Sequence, residues 1–465
     1  MSIEATSTPA PRPTVAPASP WAFPVPVTSM LDDDLRLITV HVPGQHVLSV
    51  RLGIPAPLAG EPELLEGVAT MVTRGIDEGT ARYSAQEFAE LIERHGIALG
   101  AGVGERGIFV EMEVMAHHFA TAIDILAQCL TEAAYPDDEV TRLKRARRSD
   151  IEHEYADAGS RASIEFARTY FDHADRASRP AAGTDASVRS ITAADVREHY
   201  RRVMRPQGAT IVVAGDLSAL PGDVASVLEP GLAAWMGSEQ PWSARAQSTS
   251  GVRAAEASRI VLVDRPGSAQ SHLMLGRPGP QRRTPHGWGT YQVLAFLLGG
   301  SPSARIDAVL REERGYTYGM RAGFTPRKAS GVCSVSGAVR ADATAPALEA
   351  LMEVLAMDGD DLTEREVRHG ADFVAKTAPG RYSTADTIAS EVIRLAMDGL
   401  DADFVTDTVA GARSLTRDQA AAAWDEVRSG PEWTTVLVAD AQAHLESVQA
   451  LGLGEVTVVA AAPTR

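Results

Sequence analysis

The amino-acid sequence points to an α+β protein built from two homologous halves. One observation is a repeat. Ala122-Ile-Asp-Ile-Leu-Ala-Gln-Cys-Leu130 matches Ala347-Leu-Glu-Ala-Leu-Met-Glu-Val-Leu355 at an offset of 225 residues, Ser190-Ile-Thr192 matches Ser414-Leu-Thr416 at 224, and Thr210-Ile-Val-Val-Ala214 matches Thr435-Val-Leu-Val-Ala439 at 225. Three matches in one order at one spacing indicate a duplicated domain rather than a short-period solenoid. A second observation is that helical and strand patterns follow one another without strict alternation, which favours layered α+β halves over a doubly wound sheet. The third is length: 465 residues are enough for two complete cores. The expected organisation is a flexible arm at 1–27, a first half at 28–228, a Gly-, Ser- and Ala-rich linker at 229–256 and a second half at 257–462.

The elements of the first half can be read in order. Leu35 to Val42 and Val47 to Ile54 alternate about Pro43-Gly44 and predict a hairpin. Pro62 to Arg74 predicts a helix with proline in its first turn and Gly75 at its end. Ser84-Ala-Gln-Glu87 is a capping box for a second helix, whose buried stripe is Phe88, Leu91 and Ile92 and whose stop is Gly96. Two strands follow, the second alternating at Ile108, Val110, Met112 and Val114. Then come an amphipathic helix from Phe119 to Leu130, a long charged helix from Asp138 to about Tyr155, a helix from Thr192 and a strand at Ala209 to Ala214.

Composition narrows the function. A formal charge of −17 argues against nucleic acid as a partner, because phosphate binding needs a basic face. The two cysteines, Cys129 and Cys333, lie far apart among apolar neighbours, which leaves no disulfide framework or thiolate metal cage and suits a reduced, cytoplasmic compartment. The first 26 residues are rich in Pro, Ala, Ser and Thr without an apolar core, so they do not read as a secretory signal. No window of eighteen uninterrupted apolar residues exists, so no membrane segment is expected.

The stretch from Leu298 to Arg321 carries the chemistry. A glycine pair, Gly299-Gly300, leads into an amphipathic run with Ile306, Val309 and Leu310 on one face; Gly315 then stops the helix, and Tyr316-Thr-Tyr318 opens a strand. Such a turn folds the chain back and can bring Arg311 and Tyr318 together, where a guanidinium and a phenol can grip a peptide carbonyl or another oxyanion. The competing reading is structural: Arg311 pairs with Glu312 and Tyr318 fills a strand. Arg305 and Arg314 read as ion-pairing or helix-end residues. No Gly-x-Ser-x-Gly elbow is present to suggest another nucleophile.

Several stretches together resemble the pitrilysin/insulinase-type zinc metallopeptidases, most closely the branch of mitochondrial processing peptidase and its two-subunit bacterial relatives. They are Leu65-Glu-Gly-Val-Ala-Thr70-Met-Val-Thr73-Arg74-Gly-Ile-Asp-Glu-Gly-Thr80 with the capped helix after it, Ile260-Val-Leu-Val-Asp-Arg-Pro-Gly-Ser-Ala-Gln270-Ser, and Ser303-Ala-Arg-Ile306 continuing through Leu310-Arg-Glu-Glu-Arg-Gly-Tyr-Thr-Tyr318. The resemblance spans about residues 30 to 460 and implies a duplicated fold forming half of a clamshell. The family's zinc site is His-x-x-Glu-His on a first-half helix with a distant acidic third ligand. Here the aligned positions hold Thr70, Thr73 and Arg74, with Asp150 near the third-ligand position. Threonine is a poor zinc ligand, Thr73 offers no general base, and Arg74 places a permanent positive charge where the cation would sit. Glu152-His153-Glu154 reads as a solvated helix face, and His41/His46 and His117/His118 lack the ligand spacing.

The resemblance further implies that Arg311 and Tyr318 keep the family's substrate-binding arginine and tyrosine. The expectation is therefore a non-catalytic, substrate-binding subunit of a heterodimeric zinc peptidase, inactive alone and with no cofactor of its own. The zinc would lie in a homologous partner carrying His-x-x-Glu-His, and the substrate would be an unfolded peptide, such as a leader segment. The alternative is a catalytically silent scaffold subunit of the same fold in a larger complex.

Overall fold

The computed structural model describes residues 16, 18–237, 259–327 and 330–460. The first half contains β1 (Val27–Met30), β2 (Arg36–His41), β3 (Val47–Ile54), α1 (Val68–Arg74), α2 (Ala85–Arg94), β4 (Ala98–Val103), β5 (Ile108–Met115), α3 (Phe119–Thr131), α4 (Asp137–Ala156), α5 (Ala158–Tyr170), α6 (Asp185–Ser190), α7 (Ala193–Val203), β6 (Thr210–Gly215) and α8 (Val224–Met236). The second half contains β7 (Arg259–Asp264), β8 (Gln270–Gly279), α9 (Trp288–Gly299), α10 (Arg305–Asp307), β9 (Thr317–Thr325), β10 (Gly331–Arg340), α11 (Thr344–Leu355), α12 (Glu364–Arg381), α13 (Ala385–Met397), α14 (Asp403–Ser414), α15 (Arg417–Arg428), β11 (Thr434–Ala439), α16 (Ala441–Ala450) and β12 (Glu455–Ala460).

The sequence repeat is a structural repeat. The matched segments are α3 and α11, the caps of α7 and α15, and the strands β6 and β11. Thr192 and Thr416 both close capping boxes, with Asp195 and Gln419. Each half has a six-stranded mixed sheet, ordered β1-β2-β6-β3-β5-β4 and β12-β7-β11-β8-β10-β9.

That order corrects the expected hairpin. β2 and β3 are not partners, because β6 inserts between them, parallel to β2 and antiparallel to β3. Alternation and a Pro-Gly turn report two adjacent segments; a strand arriving some 170 residues later leaves no local trace. The turn itself is held from β6's end, where Asp216 accepts from the Gly44 amide at 2.8 Å, and Asp440 does the same for Gly267.

Three further boundaries move. The helix expected from Pro62 starts at Val68, since Gly67 enters it at φ 99° after a 3-10 turn at Glu63–Leu65. The linker expected from 229 begins inside α8, whose Leu228, Leu232 and Trp235 are buried by helical spacing; residues 238–256 lie outside the described ones. The arm expected to be flexible through residue 27 docks at its end. Phe23 is buried, Trp21 stacks on Tyr382 at 5.8 Å, and Phe23 meets the same ring edge-on at 5.1 Å. Two aromatics bury enough surface to order a short segment whose composition otherwise reads as loop.

One face of each sheet packs on its own half's helices. The other face is covered by a helix from the opposite half. Ile38, Val40, Val212 and Ala214 of the first sheet bury Ile388, Val392 and Ile393 of α13. Val261, Val263, Val436 and Val438 of the second bury Ala162, Phe166 and Tyr170 of α5. This exchange welds the halves together. Among the described residues no helix is long and apolar enough to cross a membrane.

Candidate functional site

Two places carry the residues singled out by the sequence. The first is α1. Its N-terminus has no side-chain cap of its own; the buried Glu61 carboxylate accepts from the amides of Gly67 and Ala69 at 3.1 and 2.9 Å. Arg176 donates to the other Glu61 oxygen at 2.8 Å and to the carbonyls of Pro180 and Ala181 at 3.0 and 3.1 Å. Burial raises the Glu61 pKa, and the Arg176 charge and the two amides act against that rise. Arg179 pairs with Glu66 at 2.7 Å. These residues set the pitch of α1 against the 179–184 loop. Their only sequence signal is a Glu pair and an Arg pair whose partners lie more than a hundred residues apart.

Thr70 and Thr73 are buried on α1, and neither points a free oxygen at a metal. Thr70 Oγ1 donates to the Ala181 carbonyl at 3.4 Å, and Thr73 Oγ1 to the Thr70 carbonyl at 3.2 Å. Arg74 reaches across to α4, where Nη1 donates to Asp150 Oδ2 at 2.7 Å. The structure thus joins Arg74 to Asp150. The set does not fit a zinc ion: a guanidinium occupies the carboxylate, and no imidazole stands on this helix. Glu154 is held by the buried Arg147, whose Nη1 and Nη2 reach its two oxygens at 2.5 and 3.0 Å. Glu152 and His153 are exposed. The His117 and His118 rings lie 4.1 Å apart, tilted by 52°, and His95 meets His118 edge-on. Among the described residues no group of three or more His, Cys, Asp or Glu side chains could hold a metal ion.

The second place is the start of β9, the edge strand of the second sheet. The run from Arg305 is one α-helical turn followed by a wider π-helical winding over Ala308–Glu313, a departure from the regular helix expected. The buried Asp307, which sequence reading passed over, accepts from the Met320 amide at 2.8 Å. A charged residue beside the apolar Ile306 was the available signal. The chain reverses at Gly315, φ 64°, and Tyr316 N returns to the Leu310 carbonyl at 2.8 Å. The β9–β10 register then slips between Gly337 and Val339, and Thr317 Oγ1 donates to the Ala338 carbonyl at 2.6 Å. This bulge turns Tyr318 outward, 91% exposed.

Arg311 is exposed too, its Nε 3.3 Å from Glu312 Oε1, a solvated contact that contributes about 0–1 kcal/mol. The turn sets Arg311 and Tyr318 on either side of one braced corner. No hydrogen bond or cation–π contact joins them among the described residues. The glycine pair serves the corner as well, since a side chain at Gly299 would run into the Ala322 backbone of β9 at 2.7 Å. Arg305 is ion-paired as expected, its Nε 2.8 Å from Glu366.

Comparison with known proteins agrees with this architecture. The model of the insulinase family, peptidase family M16, matches residues 36–168, and that of the peptidase M16 inactive domain matches residues 190–371. The chain belongs to the insulinase-type M16 family. An uncharacterized zinc protease of Streptomyces coelicolor is 29% identical over 292 residues, 62% of each chain, so the match spans less than two thirds of that relative. A protein of Helicobacter pylori called a non-peptidase homologue is 20% identical over 257 residues, 54% of this chain and 56% of its own. Among solved structures, a peptidase M16 inactive domain from Pseudomonas fluorescens superposes with a TM-score of 0.81 at 21% identity, covering 89% of this chain and 98% of that one. This M16 chain carries the inactive-type domain, in keeping with an inactive M16-like subunit.

Proposed function

We propose that the chain is the substrate-holding subunit of a two-chain M16 peptidase. Thr70, Thr73 and Arg74 stand at the degenerate zinc-site positions with Asp150, and Arg311 and Tyr318 form the substrate grip. A homologous partner carrying His-x-x-Glu-His would hold the zinc, and the two chains would close as a clamshell around an unfolded peptide, in the cytoplasm where Cys129 and Cys333 stay reduced. A leader segment is one such peptide. The observation that carries this reading is the contrast between the two places. On α1 the carboxylate nearest the degenerate positions is occupied by a guanidinium, whereas Arg311, in solvated contact with Glu312, and the 91% exposed Tyr318 face outward on a corner braced by Asp307. An exposed phenol on a braced bulge has no evident packing role; a peptide backbone laid across it would give it one.

The competing reading is a silent scaffold, favoured by the paired state of Arg74 and Asp150, which contributes a structural link and no chemistry. The two readings separate in a mixing experiment. The chain and its partner are purified separately and assayed for peptide cleavage alone and together. The proposal expects activity only in the mixture; a partner equally active alone would leave the scaffold.

A further inference from the structure

The seam between the halves encloses a cleft of about 510 Å³. The first half lines it with Arg36, Glu105 and Arg106; the second contributes Arg282, Arg283 and Arg327, with Asp398. Five arginines thus face two carboxylates, an excess of three positive charges in a chain whose net charge is −17. The carboxylates are already engaged. Asp398 lies between Arg106 Nε at 2.6 Å and Arg282 Nε at 3.0 Å, and Glu105 is 3.3 Å from Arg327. Glu391 approaches Arg282 at 3.5 Å but is paired with Arg394, so it leaves the balance unchanged.

Arg36 and Arg283 have no carboxylate within 4.0 Å among the described residues; both are held by neutral oxygens. Arg36 donates to Thr210 Oγ1 at 3.2 and 3.1 Å and to the Ala396 carbonyl at 3.4 Å, and Arg283 donates to the Gly399 carbonyl at 3.0 Å. Arg36 of the first half thus braces the last turn of α13, and Arg283 of the second the turn that follows it. Neutral acceptors orient a guanidinium without discharging it. Like charges gathered in a concave, partly desolvated site focus a field that a multiply charged anion relieves. The guanidinium fork matches the oxygens of carboxylate and phosphate alike, and Asp398 already occupies that role between the two halves on one wall.

We propose that this cleft binds a small, multiply charged oxyanion, a polyphosphate or a polycarboxylate, held by Arg36 and Arg283 and bridging the halves. The test is calorimetric titration of the full chain with tripolyphosphate and, separately, with citrate, at low and at physiological salt. Binding that weakens with salt is expected. The Arg36→Gln/Arg283→Gln double variant should lower affinity by about tenfold or more, and Arg340→Gln, whose guanidinium pairs with Asp342 elsewhere on the surface, should leave it unchanged. Arg283→Gln alone, at an exposed position that folding tolerates, should lower affinity by about threefold or more. Binding of tripolyphosphate alone assigns a phosphate source and of citrate alone a carboxylate source. No heat with either anion, unchanged binding in the double variant, or an equal loss in Arg340→Gln overturns the proposal.

Discussion

The Arg74 guanidinium donates to Asp150 at 2.7 Å and so ties α1 to α4 through the two residues proposed to replace zinc ligands. Both side chains are well exposed, which limits what the pair adds to stability. Arg74→Ala should cost no more than about 1 kcal/mol in urea unfolding. Its larger effect is on metal chemistry. The wild-type chain should retain less than about 0.1 zinc per molecule after gel filtration, whereas Thr70→His/Thr73→Glu/Arg74→His, which restores two imidazoles and frees Asp150, should retain close to one. Zinc content by elemental analysis checks both numbers.

The exchange of helices between the halves rests on two glycines at equivalent places, Gly53 of β3 and Gly276 of β8. A methyl at Gly276 would lie 2.2 Å from the Phe166 ring, and one at Gly53 would lie 2.7 Å from the Met397 sulfur. A buried ring cannot step aside, but the end of a methionine can. Gly276→Ala should therefore cost about 1–3 kcal/mol and Gly53→Ala less than about 1 kcal/mol, read from urea midpoints at unchanged slope.

His199 gives the fold an acid-side weakness. Burial, with the Arg202 charge beside it, pushes its pKa down to about 3, and Arg202 Nη2 donates to Nδ1 at 2.9 Å. The native state thus holds the neutral ring. Unfolding frees a group of pKa near 6.5, so this contribution is intact above pH 6.5 and is lost progressively as pH falls toward 3. At about 1.4 kcal/mol per pH unit per proton, the wild type should lose about 2–3 kcal/mol more than His199→Gln between pH 6.5 and 4.5. Paired unfolding curves at the two pH values measure the difference.

The Asp307 carboxylate links the winding that carries Arg311 to the strand that carries Tyr318. Asp307→Ala leaves the Met320 amide without its acceptor and should cost about 1–3 kcal/mol. Asp307→Asn keeps an acceptor oxygen and should recover most of that loss in thermal unfolding.

Much of this was readable from residue patterns because the deciding signals are local or repeated. The capping box at Ser84 and Glu87, the alternation from Ile108 to Val114 and the 225-residue repeat each appear where expected. What escaped is long-range. The place of β6 between β2 and β3, the seating of α5 and α13 on the opposite sheets, and the Glu61–Arg176 pair are contacts between segments far apart in the chain. The π-helical winding at Ala308–Glu313, which starts next to the buried Asp307, has no propensity signature. Arg311 and Tyr318 were named from the chain alone, but their exposure, and the bulge that creates it, needed the coordinates.

The most direct test of the account is peptide cleavage by the reconstituted pair carrying Arg311→Ala and Tyr318→Phe. The proposal predicts a fall in kcat/KM of about 100-fold or more, with pair assembly and the partner's zinc content unchanged, because preorganised donors to a developing oxyanion contribute a few kcal/mol. Unchanged kcat/KM in the double variant would contradict it.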